Sequence, residues 1–127
     1  KKLNKLFNNR VKYLGVVEGF EKMKLLKKTS IFCLPTFYKT EAFPLSIIEA
    51  MVLGNAIITT DHNYLPSIIS DENGAIVPIS NIEKLSQSMI SLLDNPSLLS
   101  IQKNNVDFAR KNYSYSNFKG NIKRILA

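Results

Sequence analysis

The chain is 127 residues long, 45% hydrophobic, and carries a formal net charge of +7. That length suits one compact domain and not two, and the apolar runs, short and broken by charge, exclude a helical membrane span of ~20 apolar residues. A single cysteine, Cys33, excludes an internal disulfide, and a reducing, cytoplasmic setting is expected.

The chain opens on Lys-Lys-Leu without an initiator Met or a signal-peptide pattern, so a fragment is expected. Val11–Leu14 reads as a strand ending at Gly15, and its outer edge as a surface open to association. Residues 18–28 read as a helix with Phe20, Met23, Leu25 and Leu26 along an apolar stripe. The run Ile31–Leu34 is a short buried strand, stopped by Pro35 and holding Cys33 as a small hydrophobe. A polar loop leads to a helix from Pro44 to Leu53. Proline is tolerated in its first turn and Gly54 ends it. The β-branched Ala56–Thr60 is a strand, and a short helix is expected at Leu65–Ile69. Asp71-Glu72-Asn73-Gly74 is a turn before a strand at Ala75–Val77. Ser80-Asn81-Ile82-Glu83 reads as a capping box opening a helix to Leu93. Asn95-Pro96 restarts a helix to Lys111, and Ser114 or Ser116 caps a last one to Leu126. The C-terminal stretch 95–127 is thus helical. Strands alternating with helices imply a parallel sheet, an α/β domain.

Two glutamates eight positions apart, Glu41 and Glu49, stand out. From Ala42 to Leu53, Glu49 is the only charged residue in a stretch composed for burial. A buried carboxylate needs a hydrogen-bond partner, from the protein or from a ligand. The order strand, loop, helix N-terminus places these residues outside the carboxyl end of a strand. Open α/β sheets bind ligands there, and helical N–H groups attract phosphate. A ligand with hydroxyls flanking a phosphate, such as a nucleotide-sugar, would meet both carboxylates.

The segment Thr40–Met51 resembles the E-x7-E motif of retaining glycosyltransferases of family 4, which have the two-domain GT-B fold. Val11-Lys12-Tyr13-Leu14-Gly15-Val16-Val17 resembles the family's strand and glycine turn, and Leu25–Thr36 the helix and strand leading to the motif. Glu49-Ala50-Met51-Val52-Leu53-Gly54-Asn55-Ala56-Ile57-Ile58-Thr59-Thr60 resembles its continuation. Asn73-Gly74-Ala75-Ile76-Val77-Pro78 and Tyr113-Ser114 also fall in family order.

The resemblance implies a Rossmann-like parallel sheet flanked by helices, the later part of a GT-B C-terminal donor-binding domain. Residues 1–127 would be one truncated nucleotide-sugar-binding unit, lacking an N-terminal acceptor domain and an upstream Arg/Lys-bearing unit for the donor diphosphate. None of Lys1, Lys2, Lys5 or Arg10 equates with those cations, and the chain alone is expected to be inactive. The resemblance makes Glu41 the contact to the transferred sugar near the reacting centre, with pairing to Lys39 as the plain alternative. It makes Glu49 the acceptor for ribose hydroxyls, with satisfaction inside the protein as the alternative. The backbone of Ala42, Phe43, Pro44, Leu45 and Ser46 would meet sugar and phosphates, and Gly15, Val16 and Val17 the base. Pro44 and Ser46 depart from the commoner Gly and Pro; Ser46 either touches phosphate or caps its own turn. Asp61–Ser67 replaces a frequent Gly-Gly turn, and His62 reads as a loop residue on the sugar side without a second ligand for metal. The donor would be UDP- or GDP-linked, with no metal or other cofactor.

Charge is uneven: +7 over residues 1–28, −5 over 29–100 and +5 over 101–127. Basic ends suit an anionic membrane surface or a diphosphate-bearing lipid substrate, or are solvated helix faces. No nucleic-acid motif accompanies them. The function implied is transfer of a glycosyl group, with retention, to a saccharide or lipid-linked acceptor, in bacterial surface polysaccharide assembly (O-antigen, lipopolysaccharide, capsule or exopolysaccharide). The alternatives are a non-catalytic nucleotide-binding module and an epimerase-like enzyme of the same fold.

Overall fold

The computed structural model describes residues 11–40 and 44–126. Among them the order is α1 (Gly19–Lys28), β1 (Ile31–Leu34), α2 (Leu45–Val52), β2 (Ala56–Thr60), α3 (Leu65–Ile68), β3 (Gly74–Val77), α4 (Ile82–Leu93), α5 (Leu98–Tyr113) and α6 (Tyr115–Leu126). The strands form one parallel sheet in the order β1-β2-β3, with Ile31 opposite Ala56 and Ile57 opposite Gly74. This is a Rossmann-like α/β sheet flanked by helices, as the alternation of apolar runs predicts.

β2 is buried along its whole length because helices cover both of its faces. Its side chains alternate, so Ile57 packs with Ile47 and Met51 of α2, Leu65 of α3 and Ala109 of α5, while Ala56 and Ile58 pack with Val77 and Leu92. Cys33 lines the second cluster as a partly buried hydrophobe, and burial pushes its thiol pKa up.

Local chemistry sets the joints. α2 ends where Gly54 takes φ +83°; its N–H bonds the Met51 carbonyl at 3.0 Å, and Asn55 N–H bonds the Ala50 carbonyl at 3.0 Å. That pair of bonds is the Schellman arrangement, and glycine takes the left-handed position without strain. Gly74 starts β3 so close to β2 that a Cβ there would sit 1.9 Å from the Ile57 carbonyl oxygen.

Three buried asparagines tie the layers together. Asn55 Nδ2 donates to the Leu26 and Ala50 carbonyls at 2.9 and 3.0 Å. Asn105 Nδ2 on α5 donates to the Asn55 and Asn73 carbonyls at 2.8 Å, and Asn73 Nδ2 donates to Asn105 Oδ1 at 2.9 Å. Each polar atom of these amides is matched in sign, which makes their full burial tolerable.

The structure corrects several expectations. Val11–Leu14 is not a strand: the segment is irregular and exposed, and β1 pairs only with β2 among the described residues. So short a segment becomes a strand only when a neighbouring strand pairs its N–H and C=O groups, and none of the described strands pairs with Val11–Leu14. Among the described residues the outer strands of the sheet are β1 and β3. On α1, Phe20 and Met23 are 71% and 51% exposed and only Leu26 is buried, because a single side of this helix meets α2. The exposed Phe20 ring instead carries Lys24 Nζ 4.7 Å from its centroid. The cap of α4 is Asn81, which accepts from Lys84 N–H at 2.9 Å; Ser80 stands one residue outside in a left-handed turn. Asn95 caps a turn through Ser97 N–H at 2.8 Å, and α5 begins only at Leu98. Ser114 caps α6, accepting from Asn117 N–H at 3.3 Å.

Candidate functional site

The site is built where the C-terminal end of β1 gives way to the loop 35–40 and where α2 begins. Glu41, Ala42 and Phe43 lie outside the described residues. Pro44 is the residue before α2, with φ −73° and ψ 105° and no side-chain cap bond, and is buried. Leu45 is exposed and Ser46 half-buried, in the first turn of α2. The amides of a first helical turn have no partner within the helix, so those of Leu45 and Ser46 are oriented for an acceptor ahead of α2. The loop residues Thr36, Phe37, Tyr38 and Lys39 border an open cleft of about 590 Å³. That volume lies within the range of small-molecule sites.

Glu49 sits one turn further along α2. Its side chain is 43% exposed, so the enclosed position that its apolar neighbours suggest is not reached. The apolar residues around it do the burying: Ile47, Ala50 and Met51 face the core. Lys22 of α1 donates to both Oε1 and Oε2 of Glu49 at 2.8 Å. Of the two partners anticipated for this carboxylate, the protein therefore supplies one. Lys22 lies one helical turn before Leu26, the residue that docks α1 in the core. That i, i+4 spacing was the available signal, but it becomes readable only once Leu26 is known to be the buried member of the stripe.

Gly15 turns the chain with φ +69°, and Val16 is 89% exposed ahead of α1. Gly15, Val16 and Val17 thus lie ahead of the N-terminus of α1, not at the end of a strand paired among the described residues. The turn after β2 lies alongside the 35–40 loop, with His62 Nε2 2.9 Å from the Tyr38 carbonyl oxygen. Among the described residues no three His, Cys, Asp or Glu side chains cluster as a metal site would. No helix among them is long and apolar enough to cross a membrane.

In sequence the chain is similar to several glycosyltransferases. The chain is 33% identical over 101 residues to the N,N'-diacetylbacillosaminyl-diphospho-undecaprenol alpha-1,3-N-acetylgalactosaminyltransferase of Campylobacter jejuni, covering 78% of this chain and 26% of that protein. It is 28% identical over 94 residues to the GDP-mannose-dependent monoacylated alpha-(1-6)-phosphatidylinositol monomannoside mannosyltransferase of Corynebacterium glutamicum, covering 70% and 25%. It is 24% identical over 89 residues to the phosphatidyl-myo-inositol mannosyltransferase of Mycolicibacterium smegmatis, covering 69% and 23%. The chain spans about a quarter of the length of these curated relatives. No solved structure matches it. The model of the family described as Glycosyl transferases group 1 matches residues 1–112, and the chain belongs to that family.

Proposed function

We propose that this chain is the donor-binding part of a retaining glycosyltransferase with the GT-B fold, one that moves a glycosyl group from a UDP- or GDP-linked sugar to an acceptor hydroxyl. The observation that carries the reading is the Glu49 carboxylate, half-exposed on α2 and held from α1 by Lys22. A carboxylate has about four acceptor positions, so two donors from one ammonium leave room for the paired hydroxyls of a ribose. Glu41 would meet the transferred sugar, the backbone of Ala42–Ser46 the sugar and diphosphate, and Gly15–Val17 the base.

The chemistry asked of these residues is electrostatic. As the bond to the anomeric carbon breaks, negative charge grows on the leaving diphosphate. The N-terminus of α2 offers N–H groups and the positive end of its dipole to that charge. One well-placed donor of this type contributes roughly 3–4 kcal/mol in other transfer reactions. Retention, membership of family 4 and independence of metal belong to this proposal. The names of the relatives include GDP-mannose and acceptors built on phosphatidylinositol or undecaprenyl diphosphate. A lipid-linked or saccharide acceptor in surface polysaccharide assembly is the corresponding reading here. The acceptor side and the upstream diphosphate cations would come from an N-terminal domain, and the full enzyme would work at the cytoplasmic face of a membrane.

Bonding of both Glu49 oxygens to Lys22 favours a second reading, a domain that binds nucleotide without transferring sugar. Calorimetric titration with UDP, GDP, ADP and their sugars tests the first. Saturable binding of one nucleotide, weakened at least tenfold in Glu49→Ala, supports it. Binding that Glu49→Ala leaves unchanged removes Glu49 from the site, and a sugar moiety that adds nothing to affinity favours the second reading.

A further inference from the structure

From the last paired residues of β1 and β2, Leu34 and Thr59, onward, the two segments are joined by side chains. Thr59 Oγ1 donates to the Leu34 carbonyl at 2.9 Å, and Thr60 Oγ1 donates to the Thr36 carbonyl. His62 Nε2 lies 2.9 Å from the Tyr38 carbonyl oxygen, and Asn63 Nδ2 donates to the Lys39 carbonyl at 3.4 Å. A carbonyl oxygen only accepts, so Nε2 carries the hydrogen in the His62 bond. The backbone ladder of the sheet is thus continued as a side-chain ladder along the loop that runs directly into Glu41.

The donor side of this ladder is itself fixed. Asp61 N–H bonds the Val77 carbonyl at 3.0 Å, and an Asp61 carboxylate oxygen accepts from Ile79 N–H at 2.9 Å. The His62 carbonyl accepts from Leu65 N–H at 3.1 Å, which opens α3. Asn63 takes φ +48°, a left-handed conformation that asparagine tolerates better than most residues and that turns its amide toward the loop. The loop receives these bonds at its carbonyls, so they act whatever its own side chains do. Tyr38 and Lys39 are exposed and contribute little packing to hold it.

We propose that Thr60, His62 and Asn63 are positioning residues that clamp the 35–40 loop, which borders the cleft ahead of α2, to the end of β2. The inference rests on the reading of Glu41 as the sugar-facing carboxylate. The ladder ends two residues before Glu41 in the sequence, so on that reading its loss weakens binding of the sugar moiety and leaves Glu49, on α2, in place. His62 is the member whose role can be separated from sheet packing, because it is only half-buried and lies outside the strands. A glutamine at 62 can present an amide N–H near the position of Nε2, and an alanine cannot.

The test uses the full chain with His62→Ala and His62→Gln. Hydrogen exchange over residues 36–43 is read first, without ligand. Titrations with UDP, UDP-glucose, GDP and GDP-mannose follow, with Glu41→Ala and Glu49→Ala beside them. The expected result is faster exchange in that loop for His62→Ala. Affinity for the nucleotide-sugar should fall about fivefold to tenfold, the scale of one lost hydrogen bond. Affinity for the free nucleotide should not change, and His62→Gln should restore both readouts. Unchanged exchange in His62→Ala, or equal losses for nucleotide and nucleotide-sugar, overturns the clamp. Binding that survives both Glu41→Ala and Glu49→Ala overturns the donor-site reading beneath it. In that case the exchange experiment alone still judges whether His62 holds the loop.

Discussion

Lys22 on α1 and Glu49 on α2, 27 positions apart, form a two-pronged ion pair with both oxygens at 2.8 Å. Their side chains are 38% and 43% exposed, so water and salt screen the attraction. The pair orients a carboxylate more than it stabilises a fold. A double-mutant cycle with Lys22→Met and Glu49→Gln should give a coupling below about 1 kcal/mol, shrinking as salt rises. A coupling of several kcal/mol, insensitive to salt, would make the pair a structural element of the α1–α2 contact.

Asn105 predicts the opposite behaviour. It is fully buried and satisfies the carbonyls of Asn55 and Asn73 together with the Asn73 amide. Asn105→Ala leaves buried groups unpaired and should cost roughly 2–4 kcal/mol in urea unfolding. Asn105→Asp should cost more, because a carboxylate would face two carbonyl oxygens in place of a donor. Equal losses for the two variants would show that the site relaxes enough to admit water.

Two glycines should part company. Gly54→Ala meets only the Val106 Cγ2 at 3.8 Å, so its cost is the left-handed φ of +83°, about 1 kcal/mol. Gly74→Ala would drive a Cβ to 1.9 Å from the Ile57 carbonyl oxygen in the middle of the sheet. It should lower stability by about 4 kcal/mol or more, or prevent folding. Thermal melts of the two variants under identical conditions compare them directly.

Burial raises the pKa of the Cys33 thiol and of the Tyr113 phenol above their ordinary values of 9.0 and 10.0. The folded state keeps these protons where the unfolded state has released them. Their contribution to stability is therefore complete below about pH 9 and is lost as pH rises through the raised values. The urea midpoint should fall between pH 8 and pH 11, less steeply in Cys33→Ala and Tyr113→Phe. Alkylation of Cys33 at neutral pH should be slow, since the thiolate is scarce.

The residues that carried most of the fold in the sequence were those whose pattern and environment agree. β2 reads as a buried β-branched run and is one, and α2 stops at Gly54 because that residue alone takes the left-handed turn easily. Where tertiary contacts decide, local pattern misleads. Val11–Leu14 has strand composition without a partner strand, and Phe20 and Met23 have helical spacing on a face that nothing covers among the described residues. The proximity of Glu49 to a helix N-terminus was legible. Its pairing with Lys22 and the ladder from Thr59 to Asn63 were not, since both join segments more than 20 residues apart through groups that no periodicity marks.

Asn55 follows directly on the turn that ends α2, yet it is bonded to the end of α1, to α2 and, through Asn105, to α5 and the start of β3. Such a node has no half-open state in which only one helix lets go, because detaching α5 strands the Asn55 carbonyl in the core. The slow-exchanging amides of α2, β2 and α5 should therefore share one opening free energy and report a single cooperative unit. The platform beneath the site would thus open as a whole or not at all.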